Sequence, residues 1–563
     1  MQAFEQYRPA SHFIAPHSWS NDPCGAVYVP ETQEYLICYQ WNPGTTDGGN
    51  CAWGMAKSKD LVTWTDCPPA IWNGSSYDQK GVFSGSIQSV LVEGKRVLLL
   101  FYTSVSALPI HWSKPYIHGC ESQSLAVSMD FGQTWTRHQA NPLLSTPPKG
   151  QATTGWRDPF VSQWPSLAKL MGVSEDTSFM MLASGDRQKG PQLPMYMSSD
   201  LQSWQPVSTI LDVKSGEKMS PTSSLSWGMN FECASFFSFG GREYLIVGVE
   251  EEDATRCHNG HYLLWLAGDL VMDKEGPRFQ ITAHGILDHG LLYAAHIFRD
   301  AQGRLLQLGW ADEAANASAV SSQGWAGCLA HPRELFEISR PISEDHRNLD
   351  EWMVDEKTGT MTTLGIRPAP QVDQLRIGSG NTRLENLSEV HSKNLDIQAR
   401  FAGISGYERF TFNVLASPDM TEVTSIIFDL SASSVTVDRS NSSAQQVGTH
   451  TPEVAPIHLL PGEDLEVRIF VDNSIIEVLV NNRLSMTTRV YPTLPDSTRV
   501  SYDFGTYDQE KVAIEYWTEL KGAWPERDSG RNTFEELHPL RASPPRSEDI
   551  KVSGLQTVTE IRA

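Results

Sequence analysis

Three acidic residues are marked out by the residues around them. Asp22 lies in Trp19-Ser-Asn-Asp-Pro-Cys-Gly25, Asp158 in Gly155-Trp-Arg-Asp-Pro159, and Glu232 in Asn230-Phe-Glu-Cys-Ala234. Two carboxylates facing one another are what glycosidic cleavage needs: one attacks the anomeric carbon, and the other, protonated, donates to the departing oxygen. Like charges crowded in one pocket raise the pKa of one partner, and apolar neighbours push the same way. Phe231 and Cys233 flank Glu232, so Glu232 is the expected protonated acid. Asp22, between Asn21 and Pro23 in a rigid polar turn, is the expected ionised nucleophile. Arg157 beside Asp158 is expected to hold that carboxylate charged, better suited to gripping sugar hydroxyls than to moving a proton. Taken singly, each motif reads at least as well as a structural turn, because Asp before Pro is a common turn element.

What sets the three apart is their place in a repeat. Ser58-Lys-Asp-Leu-Val-Thr-Trp64, Ser128-Met-Asp-Phe-Gly-Gln-Thr-Trp135 and Ser198-Ser-Asp-Leu-Gln-Ser-Trp204 place their serines seventy residues apart. A degraded copy, Gly268-Asp-Leu270, follows at nearly the same interval. Asp22, Asp158 and Glu232 precede the repeat aspartates Asp60, Asp200 and Asp269 by thirty-eight, forty-two and thirty-seven residues, a nearly constant phase. The second repeat offers Phe83-Ser-Gly-Ser86 at a similar phase, polar but uncharged. Each unit holds short β-type runs such as Tyr35-Leu-Ile-Cys-Tyr39 and Tyr244-Leu-Ile-Val247, and amphipathic helical stretches are scarce. Repeated antiparallel sheets of this size close as blades around an axis, which shelters strand edges. The period and length predict an all-β fold with a five-bladed β-propeller over 1–345, whose innermost strands would aim the three carboxylates into one central cavity. A repeat scaffold of the WD type has a period of about 40 to 45 residues, which seventy excludes. Asp60, Asp130 and Asp200 are expected to be turn residues and their Trp partners core.

Past residue 345 the repeat disappears. A linker is expected over 346–370, a C-terminal β-sandwich over 371–524 from runs such as Leu465-Glu-Val-Arg-Ile-Phe-Val471, and a mobile extension over 525–563. The chain has 563 residues, with 67 acidic against 44 basic side chains and a formal charge of −23, which repels nucleic acid and anionic membrane surfaces. No apolar run approaches the roughly 20 residues of a membrane span. The first residues lack a leader pattern and the eight cysteines lack disulfide or zinc spacing, so a cytoplasmic protein with free thiols is expected, secreted if a leader was removed. Asn-x-Ser sequons at Asn73, Asn316, Asn386 and Asn441 carry little weight in a Ser-rich chain.

These motifs resemble those of glycoside hydrolase family 32, the β-fructofuranosidases and fructosyltransferases. The resemblance runs through Trp19 to Gly25, Tyr39-Gln-Trp-Asn-Pro43, Phe83 to Ser86, Arg157-Asp-Pro159, Glu232-Cys233, Gly324-Trp-Ala-Gly327 and Val471-Asp-Asn-Ser-Ile-Ile-Glu477. It implies a propeller plus sandwich and a retaining mechanism, with Asp22 as nucleophile, Glu232 as acid and then base, and Asp158 stabilising the transition state. Asn21, Gln40, Phe83, Ser84 and Arg157 would line the fructose subsite, and no metal or organic cofactor is implied. Cys24 stands where most hydrolases of the family have Asn, and fungal members that favour transfructosylation share that Cys. Ala234 replaces a common Pro after the acid, and Met55 a common His. The implied activity is cleavage of sucrose with transfer of fructosyl units to short fructo-oligosaccharides. An exo-acting inulin or levan hydrolase and a non-catalytic fructan-binding propeller are the alternatives, and a homodimer is among the assemblies the sequence allows. On the acceptor side, Glu251 and Tyr293 are the expected contacts, with Glu250 and Glu252 beside them; the competing reading of the acidic triplet is a solvated loop.

Overall fold

The structure, a computed structural model, describes residues 2–527 apart from 222, 224 and 252–257, together with the backbone of 555 and 556. Short runs rich in β-branched and aromatic residues, cut by Gly, Pro and Asx turns, fold as antiparallel strands, and the protein is mostly β. Five sheets occupy the first two-thirds of the chain. Their first strands are Ser18–Val29, Gly81–Val92, Thr153–Gln163, Asn230–Phe239 and Leu292–Arg299. Each packs against the first strand of the next sheet, and Leu292–Arg299 packs back on Ser18–Val29, so the five close a ring. Trp325–Ala326 fastens it by pairing parallel with Ser18 and Trp19 of the first sheet. Cys328–Leu329, just beyond, pairs with Leu305–Ala311 of the fifth.

The repeated Ser-x-Asp is a turn, as its sequence suggests. Ser58 Oγ donates to Asp60 Oδ1 (3.0 Å), which in turn accepts the backbone N–H of Val62 (3.0 Å) and Thr63 (2.7 Å). Asp130 and Asp200 repeat the arrangement with Thr134 and with Gln202 and Ser203. The residue after each aspartate, Leu61, Phe131 or Leu201, takes the left-handed conformation that the tight turn imposes. Trp64 and Trp204 are buried, whereas Trp135 is half-buried.

The segment 346–370, expected as a linker, belongs to the fifth sheet instead. Thr360–Pro368 pairs along the whole of Arg333–Pro341, and Met353–Asp355 adds an edge strand. Thr360–Pro368 is an inner strand, buried from Met361 to Ile366, and the edge strand Met353–Asp355 is half-buried. Beyond it, two five-stranded sheets stack face to face, one built on Asn394–Phe401, Leu465–Asp472 and Ile475–Val480, the other on Arg409–Ala416 and Val423–Asp429. Val423–Asp429 alternates buried and half-exposed residues, as a sheet with one wet face must, while Ile475–Val480 is buried throughout because its outer face lies against the ring of sheets. The extension expected over 525–563 lies outside the described residues from 528 onward, apart from the backbone of 555 and 556. No helix among the described residues is long and apolar enough to cross a membrane.

A buried ionic network joins the two parts. His12, from the segment before the first strand, stands between Asp472 (2.7 Å) and Glu477 (3.0 Å) of the sandwich. Arg333 of the fifth sheet bonds Glu477 (2.6 Å) and Asp288 of the fourth (2.8 Å). Burial alone would push the His12 imidazole down, but the bonds to Asp472 and Glu477 outweigh it and raise its pKa above 6.5. A raised folded-state pKa means that the charged pair contributes in full below pH 6.5 and that this contribution fades as pH rises through the folded value. Removing one partner of a buried pair costs about 3–5 kcal/mol. The gap in Tm between the native protein and His12→Gln should therefore be widest near about pH 6 and narrow steadily towards about pH 9. A gap independent of pH in thermal melts contradicts this account of the junction.

Candidate active site

The first strand of every sheet breaks its register at the same level. Asn21 and Asp22 face the single residue Gln40 across the pair, and Ser84 is an extra residue between Phe83 and Gly85. Asp158 and Pro159 face Leu182, Cys233 and Ala234 face Val247, and Ala294 and Ala295 face Gly309. Such bulges re-aim a side chain that a regular pleat would send to one face or the other. Asp158 (φ 60°), Cys233 (φ 46°) and Ala294 (φ 50°) hold left-handed backbone that costs about 1–3 kcal/mol per non-glycine residue. In the second sheet Gly85 allows the break, since a Cβ there would lie 2.0 Å from the carbonyl oxygen of Phe101. The five bulges converge on a small cavity to which each strand contributes: Pro23, Ser84, Asp158, Cys233 and Ala295.

Asp22 is held from several sides. Its Oδ2 accepts from Ser84 Oγ (2.5 Å), Gln40 Nε2 (3.4 Å) and the Cys233 thiol (3.4 Å), and its Oδ1 accepts from Asn21 Nδ2 (3.1 Å). Asp158 Oδ2 accepts the backbone N–H of Cys233 (2.9 Å). Cys233 thus ties Asp22 and Asp158 to the strand that carries Glu232. Glu232 Oε1 takes two bonds from Arg157, at 3.1 and 2.6 Å, and Oε2 accepts the Tyr293 hydroxyl (2.8 Å). Phe83 lies beside these groups with its carbonyl bonded to the Trp53 indole. Asn21, Gln40, Ser84, Arg157 and Tyr293 are therefore gathered around Asp22 and Glu232.

Two expectations are corrected. Arg157 does not serve Asp158: its nearest approach to that carboxylate is 4.0 Å, and it grips Glu232 instead. Successive residues of a strand point to opposite faces, so adjacency in sequence implied a contact that the pleat forbids. The proton affinities follow. Burial would raise the Glu232 carboxyl, but Arg157 overrides it and holds the carboxyl below its ordinary value. Burial, reinforced by the charge of Glu232, pushes Asp22 up to about 6 against the bonds from Ser84 and Cys233. Burial also pushes Asp158 up to about 7, with Arg157 too distant to reverse it. Glu232 is thus shifted towards its ionised form and the two aspartates towards their protonated forms. The second correction concerns the acidic triplet. Glu250, at the end of strand Arg242–Glu250, reaches Arg157 (3.3 Å), whereas Glu251 turns away to accept from Ser226 Oγ (2.7 Å). Both are buried, so neither lies in a solvated loop, and Glu252 lies outside the described residues. Burial and the charge of Glu232 push Glu250 up to about 8.

Further groups complete the wall. His261 stacks on Tyr293 with centroids 4.4 Å apart, and His111 stands 3.8 Å from Glu250. Their isolated positions in the sequence carried no signal beyond being histidines in late strands and loops. Two trios among the described residues bring possible metal-ligand atoms within 4.8 Å of one another: Glu232, Glu250 and His261, and His12, His331 and Glu477. In the first, both carboxylates are already engaged by the Arg157 guanidinium. In the second, both nitrogens of His12 face carboxylates and its ring stacks on His331 at 3.8 Å, so the two rings cannot converge on one ion. A wider groove lies elsewhere, along Arg367, Arg400 and Arg468, but those cations are paired with Glu334, Asp464 and Asp396.

The arrangement has counterparts among known proteins. The model of the glycosyl hydrolases family 32 N-terminal domain matches residues 12–347, and that of the family 32 C-terminal domain matches 367–518. Beta-fructofuranosidase 1 of Zea mays is 27% identical over 88% of this chain and 76% of its own length. Sucrose-6-phosphate hydrolase of Zymomonas mobilis is 27% identical over 86% of this chain and 87% of its own. Among solved structures, the Aspergillus kawachii beta-fructofuranosidase complexed with glycerol superposes with a TM-score of 0.81 at 27% identity, covering 94% of this chain and 97% of that one. The fructosyltransferase from A. japonicus shares the fold, with a TM-score of 0.80 at 24% identity, 93% of this chain and 97% of that one being covered.

The grip of Arg157 on Glu232 depends on Gly155, where a Cβ would lie 2.1 Å from Arg157 Nη1. Gly155→Ala should displace the guanidinium and forfeit a charged hydrogen bond of about 1.5–3 kcal/mol. Turnover is expected to fall about ten- to hundredfold, with Tm lower by a few degrees as the buried bond is lost. Undiminished turnover in Gly155→Ala would show that the clamp does not matter.

Proposed function

The chain belongs to glycosyl hydrolase family 32, and from that premise we propose that it is a retaining β-fructofuranosidase acting on sucrose, with transfer of fructosyl units to sugar acceptors. The five sheets are the blades of a five-bladed β-propeller, followed by a β-sandwich within 371–524 and an extension over 525–563. The observation that supports the chemistry is the gathering of Asp22, Asp158 and Glu232 from three sheets within reach of one another's charge, with Cys233, next to Glu232, touching both aspartates.

In the first step Asp22 attacks the anomeric carbon of the fructosyl unit while the bond to the glucose oxygen breaks and Glu232 supplies that oxygen's proton. Burial raises the proton affinity of Asp22, Asp158 and Glu250 to pKa values of about 6, 7 and 8, while Arg157 lowers that of Glu232. Sugar hydroxyls that donate to Asp22 and Asp158 favour their ionised forms. The negative charge so added raises the proton affinity of Glu232, and the proton passes to it within the same cluster. Asp158 then accepts hydroxyl bonds from the fructosyl ring as charge develops. In the second step Glu232 removes a proton from water or from a sugar hydroxyl, the new oxygen bonds to the anomeric carbon, and the ester to Asp22 breaks.

Which acceptor wins is a matter of effective concentration at that carbon. Glu250, His261, Tyr293 and His111 offer polar groups on the side of Glu232 where an acceptor would sit, and this supports fructosyl transfer alongside hydrolysis. That all three carboxylates are present and mutually engaged weighs against a purely binding role.

Asp22→Asn and Glu232→Gln are each expected to lower sucrose turnover by about three orders of magnitude or more while sucrose still binds. Product chromatography should show equal glucose and fructose in dilute sucrose and an excess of glucose with short oligosaccharides in concentrated sucrose. Equal release at every concentration would reduce the activity to hydrolysis, and full turnover in Asp22→Asn would remove the mechanism.

A further inference from the structure

Arg157 serves three carboxylates, and the third lies outside every motif discussed so far. Glu121 opens strand Glu121–Ser128, the third strand of the second sheet, and its side chain is fully buried. One carboxylate oxygen accepts from Arg157 Nη1 (3.0 Å) and the other accepts the backbone N–H of Trp156 (2.8 Å). The guanidinium is thereby fixed at one end by Glu121, while Nε and Nη2 are left for Glu232 and Nη2 also reaches Glu250. Gly155 leaves the room for it to lie in this pose.

We propose that Glu121 is a positioning residue that, through Arg157, sets the proton affinity of Glu232. This rests on the reading of Glu232 as the acid and base. Glu121 touches no part of the cavity where a sugar would sit; it acts by orienting the guanidinium and by sharing its charge. With one carboxylate fewer to serve, Arg157 bears more strongly on Glu232, and the removal of a nearby negative charge works in the same direction. Both effects make the Glu232 proton easier to lose.

The other groups facing Glu232 are Asp22, Asp158, Glu250, His261, Tyr293 and His111, together with the neighbouring Cys233 thiol. Those facing Glu121 are Arg157, Glu250, the Tyr116 phenol and the Cys120 thiol. Asp22 belongs to the first list only. Altering Glu121 should therefore move the limb of the pH profile that reports Glu232 and leave the limb that reports Asp22.

The test is the pH dependence of kcat/KM for sucrose in Glu121→Gln and Glu121→Asp. In Glu121→Gln the acid limb, which Glu232 sets because its carboxyl is held below its ordinary value while Asp22 is raised, should shift down by about half a pH unit or more, with the alkaline limb set by Asp22 unmoved. Glu121→Asp, which keeps the charge but draws it back, should shift the same limb in the same direction by less, and it carries the test if Glu121→Gln fails to fold. Fructosyl fluoride, whose leaving group departs without a proton, should show no shift in kcat/KM for either variant. Acid limbs that superpose on the native profile, or a loss of rate uniform across pH and equal for both substrates, would leave Glu121 as a packing partner and overturn the proposal. Full sucrose turnover in Glu232→Gln would instead remove the acid–base reading on which it rests.

Discussion

Carboxylates buried together repel one another and each loses its hydration, so a cluster of them stands only if something offsets both costs. Here one guanidinium does so. Arg157 meets Glu121, Glu232 and Glu250 at once, and the remaining lone pairs are taken by Tyr293, Asn230 and the Trp156 backbone. Asp22 and Asp158, to which Arg157 gives no hydrogen bond, rely on Ser84, Gln40, Asn21 and Cys233, and burial raises their pKa values to about 6 and 7. The bulges on the five first strands deliver these side chains to one level, and the bareness of Gly155 leaves the guanidinium room to lie where it does. Carboxyl groups of raised proton affinity next to a fixed cation suit chemistry that moves a proton to and from one oxygen in successive steps.

A ring built this way has to resist opening. The pairing of Trp325–Ala326 with the first strand closes it along the backbone. The His12, Asp472, Glu477, Arg333 and Asp288 network ties the segment before the first strand, the fourth and fifth sheets and the sandwich into one buried set of charges. The sandwich thereby steadies the sheets at the position where the ring closes, away from the carboxylate cavity.

Much of the site was legible in the sequence because a β repeat converts phase into position: residues at one offset in each unit arrive at one level of the ring. Asp22, Ser84, Asp158 and Glu232 all sit on first strands for that reason. What the sequence concealed is which partner each charge would find. Arg157 looked like the partner of Asp158, but alternation along the strand and the bulge after it turn the two apart, and the guanidinium crosses to the next sheet. Alternation also separates Glu250 from Glu251, sending one into the cavity and the other to Ser226. Glu121 is on a third strand, out of phase with every motif, so no periodic signal pointed to it. The strands within 346–370 were hidden because Thr360–Pro368 buries threonines and a glycine as well as Met361, Leu364 and Ile366, so its composition matches that of a linker although it pairs on both sides.

The central claim is that the carboxylate of Asp22 becomes covalently loaded with the sugar during turnover. Rapid acid quench of the enzyme in steady turnover of sucrose, followed by peptide mass mapping, addresses it directly. The account predicts one fructosyl unit on the peptide that contains Asp22. A fructosyl unit on a different carboxylate, or an unmodified chain during a measured burst of glucose, would contradict it.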